Sequence, residues 1–121
     1  MNTALWIVQG LLAAVFVVAG ATQAIVPREK LLTRMGWAAD FSNLQVKVLG
    51  LLEILGAAGL VVPWLTRTLV LLTPLAAAGL AILMAGAAYV HLRRREPASP
   101  PLLLGALALF VVIGRFAEAF G

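Results

Sequence analysis

The chain has 121 residues, 63% of them hydrophobic and only 12% charged, with a formal net charge of +4 and no cysteine. Soluble domains keep about a quarter of their residues charged, so this composition excludes an ordinary soluble domain and calls for a membrane or a large apolar interface. The missing cysteines exclude disulfides, thiolate metal sites and intrinsic dithiol redox chemistry, so any electron transfer would need a bound cofactor.

Crossing roughly 30 Å of hydrocarbon takes about 20 apolar residues, and four runs meet that length: Leu5 to Val26, Leu44 to Trp64, Leu69 to Leu92 and Leu102 to Phe120. They predict an all-α polytopic protein, an antiparallel four-transmembrane-helix bundle forming one membrane domain over residues 1–121. The first run lacks a basic segment ahead of it and is long for a signal peptide, so it is expected to be a retained span.

The connector after span one, "PREKLLTRMGWAADF", sets Arg28, Lys30 and Arg34 among Leu31, Leu32, Met35, Trp37 and Phe41. This pattern predicts a short helix in the membrane interface with Trp37 at headgroup depth, serving as a plain amphipathic connector or as a lid over a cavity at that face. Span two opens with "SNLQ", where Ser42 and Gln45 have capping-box spacing, and ends near Pro63. Thr66 is placed to cap span three, and Pro74 inside that span is expected to remove a backbone hydrogen bond and kink it, with Thr73 at hand for a freed carbonyl. Ser99 followed by Pro100 and Pro101 starts span four, because proline is tolerated where no intrahelical donor is required.

Basic residues set the orientation. Arg28, Lys30, Arg34, Lys47 and Arg93 to Arg95 belong to one side, and only Arg67 and Arg115 to the other. The positive-inside rule then places loops 27–43 and 93–100 in the cytoplasm and both termini outside. The basic character reflects topology and contact with anionic membrane lipids rather than nucleic acid, since no aromatic-interleaved groove accompanies it.

Few polar residues lie within the spans, and they are the candidate ligand residues. Glu53 falls about 13 Å into span two, where a charge costs roughly 3 kcal/mol on insertion scales, so it must face the bundle interior and find a partner or a proton. Gly50 and Gly56 beside it let a helix approach closely. Glu53 is then either an acceptor that glues helices together or a proton-accepting or ligand-binding group. Ranked by depth, the expected buried network is Glu53 with Arg115 and Gln9, Arg115 having a second option in Glu118. A second group, Thr22, Gln23, Lys47 and His91, gathers at the cytoplasmic end, where Lys47 and His91 read as interfacial anchors. One histidine makes no metal or haem site, and no catalytic constellation, nucleotide fingerprint or phosphate loop is present. Gly10 with Ala14, and Gly79 with Gly86, form small stripes suited to contact within the bundle or between protomers of a homo-oligomer.

The segments "LWIVQGLLAAVFVVAGATQ", "PREKL", "MGWAADFS", "LGLLEILGAAGLVVP", "LTPLAAAGLAILMAGAAYVHLRRRE" and "IGRFAE" resemble the DoxX-like family of small four-helix membrane proteins over nearly the whole chain. The resemblance implies a four-span bundle and matches at Glu53, His91 and Arg115. It departs at Gln23, where many relatives carry lysine, so a role that needs a cation there does not carry over. Related DoxX and DoxD proteins are associated with oxidoreductase complexes, including thiosulfate to quinone electron transfer. The expected function is therefore binding of a lipid-like molecule or a quinone, or service as a subunit of a membrane oxidoreductase complex. A small proton-coupled transporter or channel, formed by an oligomer, is the alternative.

Overall fold

The computed structural model describes residues 2–120. Its elements are α1 (Asn2–Ile25), α2 (Arg28–Arg34), a 3-10 segment (Gly36–Asp40), α3 (Asn43–Thr66), α4 (Leu72–Arg93) and α5 (Ser99–Phe120). Among them, α1, α3, α4 and α5 are long and apolar enough to cross a membrane. The shortest, of 22 residues, measures about 33 Å at 1.5 Å per residue. They run alternately up and down, with the termini and the α3–α4 loop at one end of the bundle, hereafter the terminal end. The 27–42 connector and the α4–α5 loop lie at the other, the connector end.

The bundle is inside out relative to a soluble one. Ile7, Val18, Leu55, Ile82 and Ile113 are exposed, whereas Gln9, Gln23, Glu53, Thr73 and Arg115 are buried. Apolar side chains turned outward and polar ones turned inward are what hydrocarbon solvent selects. Between the helices, Leu12 and Phe16 of α1, Ala57 and Leu60 of α3, Leu80 and Met84 of α4 and Val111 of α5 form the apolar core.

Helix α1 packs most extensively on α3 and α4 on α5, so the bundle is two pairs laid side by side. Within the first pair the backbones touch: a Cβ on Gly20 would lie 2.5 Å from the Gly50 carbonyl oxygen, and one on Gly50 would lie 2.6 Å from that of Gly20. Between the pairs, the close approaches are Gly56 to Leu80, Gly59 to Ala76 and Gly114 to Leu5, all toward the terminal end. The pairs are thus pinned together at that end. Gly10, Gly79 and Gly86, by contrast, have nothing among the described residues within 4 Å of a Cβ position, so these glycines do not serve packing inside the bundle.

The expected capping box is present, with the Ser42 hydroxyl accepting from the Gln45 amide and the Gln45 side chain accepting from the Ser42 amide. Two expectations are corrected. Thr66 caps nothing in α4: it is the last residue of α3, its hydroxyl donates to the Val62 carbonyl, and α4 begins only at Leu72 after a loop in which Arg67 and Leu69 have positive φ. Because α4 starts later than its apolar run, Pro74 falls in the first turn, where a missing N–H breaks no intrahelical bond and imposes no kink.

The proline inside a helix is instead Pro63. Lacking an N–H, it leaves the Gly59 carbonyl without its helical donor. Thr73 Oγ1 of α4 donates to that carbonyl at 2.9 Å, and Gln9 Nε2 of α1 donates to the neighbouring Leu60 carbonyl. Side chains from two other helices therefore cover the turn before Pro63, and Thr73 serves a freed carbonyl that belongs to α3 rather than to its own helix.

Candidate functional site

The interior polar residues separate into two groups. At the terminal end, Arg115 of α5 is fully buried. Its Nε donates to Gln9 Oε1 at 2.6 Å, and its Nη1 donates to Asn2 Oδ1 at 2.9 Å and to Glu118 Oε2 at 2.8 Å. The guanidinium carbon sits 4.4 Å from the Trp64 ring centroid and 5.4 Å from that of Trp6. Arg67 lies over the Trp64 ring as well, at 5.4 Å. One cation thereby joins α1, α3 and α5, with the carboxylate and aromatic faces offsetting the loss of hydration. These contacts make Arg115 a joint between helices at the terminal end.

Glu53 is not part of it, which corrects the expected three-residue network. Glu53 and Leu60, whose carbonyl takes Gln9, are seven residues apart on α3, about 10 Å along the axis. Arg115 reaches the other way, toward Asn2 and Glu118. The polar side chain beside Glu53 is Gln23 of α1. The Gly20–Gly50 contact sets this pair, since the Gly50 Cβ position is 2.9 Å from Gln23 Cβ and the Gly20 Cβ position is 3.3 Å from Glu53 Cβ. Helix α3 also extends past the end of α1 at the connector end, where Lys47 Nζ donates to the Ala24 carbonyl in the last turn of α1 at 2.9 Å. That stagger brings a residue from the end of α1 level with one from the middle of α3. Lys47 acts as a cap on α1, where its charge also suits the negative end of the helix dipole.

Glu53 and Gln23 face a cavity of about 760 Å³ between the two helix pairs at the connector end. Its walls are largely apolar: Ala19 of α1, Leu49 of α3, Leu83 and Met84 of α4 and Leu104 of α5. The connector contributes Met35, Trp37 and Phe41, so the segment between the first two spans covers part of the cavity. Trp37 and Phe41 meet edge to face at 5.8 Å. Both pack on a small core of Leu31, Ala38 and Val46 that holds the connector to α3. The Arg28 guanidinium adds a bond to the Phe41 carbonyl at 3.1 Å. Tyr89 and Arg93, both exposed, also line the cavity, which is therefore not sealed.

Charged side chains close the connector against the α4–α5 loop. Arg94 Nη1 donates to Asp40 Oδ1 at 2.9 Å, and its Nε lies 3.5 Å from Glu96 Oε1. His91 Nδ1 faces the same Glu96 oxygen at 3.4 Å. His91 also lines the cavity, joining Glu53 and Gln23 there. Among the candidates, then, Glu53, Gln23 and His91 share one cavity, Arg115 and Gln9 share a joint at the other end, and Lys47 stands apart as a cap.

Sequence reasoning did not single out Asp40, counted Arg94 only among the basic loop residues, and treated Trp64 as a span boundary. The signal for Trp64 was its spacing on the face of Leu60 and Ala57; nothing local marks Asp40 as the partner of a residue 54 positions away.

No curated protein and no solved structure shows significant similarity to this chain. The sequence profile of the DoxX-like family matches residues 7–114, a stretch that covers α3, α4 and the connector, most of α1 and α5, and Glu53 and His91, and ends just before Arg115. With four apolar helices arranged as hydrocarbon solvent requires and a match over most of its length, the chain is a multi-pass membrane protein of the DoxX-like family.

Proposed function

We propose that the protein binds a lipid-like amphiphile or a quinone in the cavity between its two helix pairs. The observation that carries this reading is the pairing of shape and chemistry. A half-covered, mostly apolar space of about 760 Å³ has two buried polar side chains, Glu53 and Gln23, at one wall. That volume suits a small organic ligand, and a few polar groups on an apolar wall are how such sites fix orientation. Arg115 finds protein acceptors for its Nε and Nη1 at the terminal end. Glu53 has Gln23 of α1 beside it, and its Oε2 has no hydrogen-bond partner among the described residues. The connector residues Met35, Trp37 and Phe41 serve in this reading as the cover, and the Asp40–Arg94 pair holds the cover down.

A place in a membrane redox complex would rest on the same ligand, because a bound quinone supplies the two-electron chemistry that a cysteine-free chain lacks. The orientation that goes with this reading puts the connector and the α4–α5 loop in the cytoplasm, on the strength of the basic residues gathered there.

The test is to purify the full chain in mild detergent with its native membrane lipids and to measure retained quinone and lipid by native mass spectrometry. Stoichiometric retention by the parent protein, and its loss in Glu53→Gln with the helical circular dichroism unchanged, is expected. Equal ligand content in the two proteins would remove Glu53 from the site.

A further inference from the structure

The atoms left unmatched at the wall of the cavity specify more than its size. Gln23 is 3% exposed and Glu53 is 7% exposed, and Gln23 Oε1 and Glu53 Oε2 are both buried without a hydrogen-bond partner among the described residues. Both are acceptors. They stand on adjacent helices, held side by side by the Gly20–Gly50 backbone contact. Arg115, buried at the terminal end, has its Nε and Nη1 committed to Gln9, Asn2 and Glu118, and Lys47 Nζ donates to the Ala24 carbonyl.

We infer that the cavity selects an amphiphile whose head group presents a hydrogen-bond donor, a hydroxyl or an ammonium, rather than a carbonyl or another pure acceptor. This rests on the binding reading above and narrows it. A donor head satisfies Gln23 Oε1 and Glu53 Oε2, whereas an acceptor head placed against them leaves all the oxygens bare in a low-dielectric space, where each unmatched group is costly. Among redox carriers the rule favours the reduced quinol, with two hydroxyls, over the oxidised quinone, with two carbonyls. Among lipids it favours an ethanolamine head over the choline head, which has no N–H. The apolar walls, Leu83, Met84 and Leu104 among them, take the hydrocarbon part in either case.

Two matched pairs test the rule on the intact chain in detergent: a decyl-substituted benzoquinol against its benzoquinone under anaerobic conditions, and phosphatidylethanolamine against phosphatidylcholine with identical acyl chains. Apparent affinities are read by native mass spectrometry. The donor member of at least one pair should bind at least about tenfold more tightly, equivalent to about 1.4 kcal/mol, and the pair that responds identifies whether the ligand is a redox carrier or a lipid. Gln23→Leu, which removes one acceptor and keeps an apolar wall, should shrink that ratio to about threefold or less while the acceptor member keeps its affinity. If ligands bind without preference, or the quinone and the choline lipid bind more tightly, the inference is overturned and the binding reading survives. If none of the four binds, the binding reading fails and the inference with it.

Discussion

Replacing Gly50 by alanine tests the contact on which the candidate site is built. A methyl at this position would lie 2.6 Å from the Gly20 carbonyl oxygen, about 0.8 Å short of the 3.4 Å at which ordinary van der Waals contact begins. It would also meet Gln23 Cβ at 2.9 Å and the Ala24 amide nitrogen at 3.2 Å. Two of these three neighbours are backbone atoms of α1, which cannot rotate away, so the helices themselves must separate by most of an ångström. Overpacking of this kind costs about 1–3 kcal/mol, and here the upper half of that range is expected because the lost contact is helix against helix. The control lies in the same protein. Gly79→Ala and Gly10→Ala meet nothing within 4 Å, so they should be neutral or stabilise slightly through the roughly 1 kcal/mol better helix propensity of alanine. Unfolding in mixed micelles followed by circular dichroism measures all three. If Gly50→Ala matches the two controls to within about 0.5 kcal/mol, a difference too small for overpacking, the close approach of α1 and α3 is wrong, and with it the mechanism that sets Gln23 beside Glu53.

Other outcomes follow from the same contacts. Gln9→Leu removes the acceptor for Arg115 Nε and the donor to the Leu60 carbonyl together, and should cost about 1–3 kcal/mol in the same unfolding assay. Thr73→Val should cost about 1 kcal/mol, the usual range for an interhelical bond in a membrane, and most of that cost should vanish in a Pro63→Ala background, where an N–H at position 63 returns to the Gly59 carbonyl; additive effects in the double-mutant cycle would refute the link between Pro63 and Thr73. Asp40→Asn loosens the tie between the connector and the α4–α5 loop, and should leave the unfolding midpoint unmoved while speeding release of retained ligand on dilution; an unchanged release rate would mean that the connector does not gate the cavity. Because the parent chain has no cysteine, single cysteines at Ser42 and Thr68 report sidedness directly: in inside-out vesicles an impermeant maleimide should label position 42 and not position 68.

The fold was legible because its signals are redundant. Four apolar runs, a capping box at Ser42 and a proline pair after Ser99 each mark the same boundaries. The Arg115–Gln9 contact was also accessible, since depth along each span can be counted from sequence and these two residues come out level. Gln23 beside Glu53 was not. Counting depth assumes that helices end flush, and here α3 extends past α1 at the connector end, a stagger set by the Gly20–Gly50 contact and by Lys47 capping α1. The two prolines reversed roles for a related reason. Helix α4 starts at Leu72, several residues after its apolar run begins, so Pro74 became a harmless first-turn residue. Helix α3 meanwhile ran on through Pro63, because Thr73 and Gln9 were available to satisfy the carbonyls before it.

That accommodation bears on how the chain can be assembled. Alone in a bilayer, α3 would carry a bare Gly59 carbonyl through hydrocarbon, where no water can satisfy it. The hydroxyl that relieves it is 14 residues downstream, in the first turn of the next span. The α3–α4 hairpin is thus the smallest portion of the protein that meets lipid with that defect mended, and cutting or lengthening the loop between Arg67 and Leu71 separates a wound from its dressing.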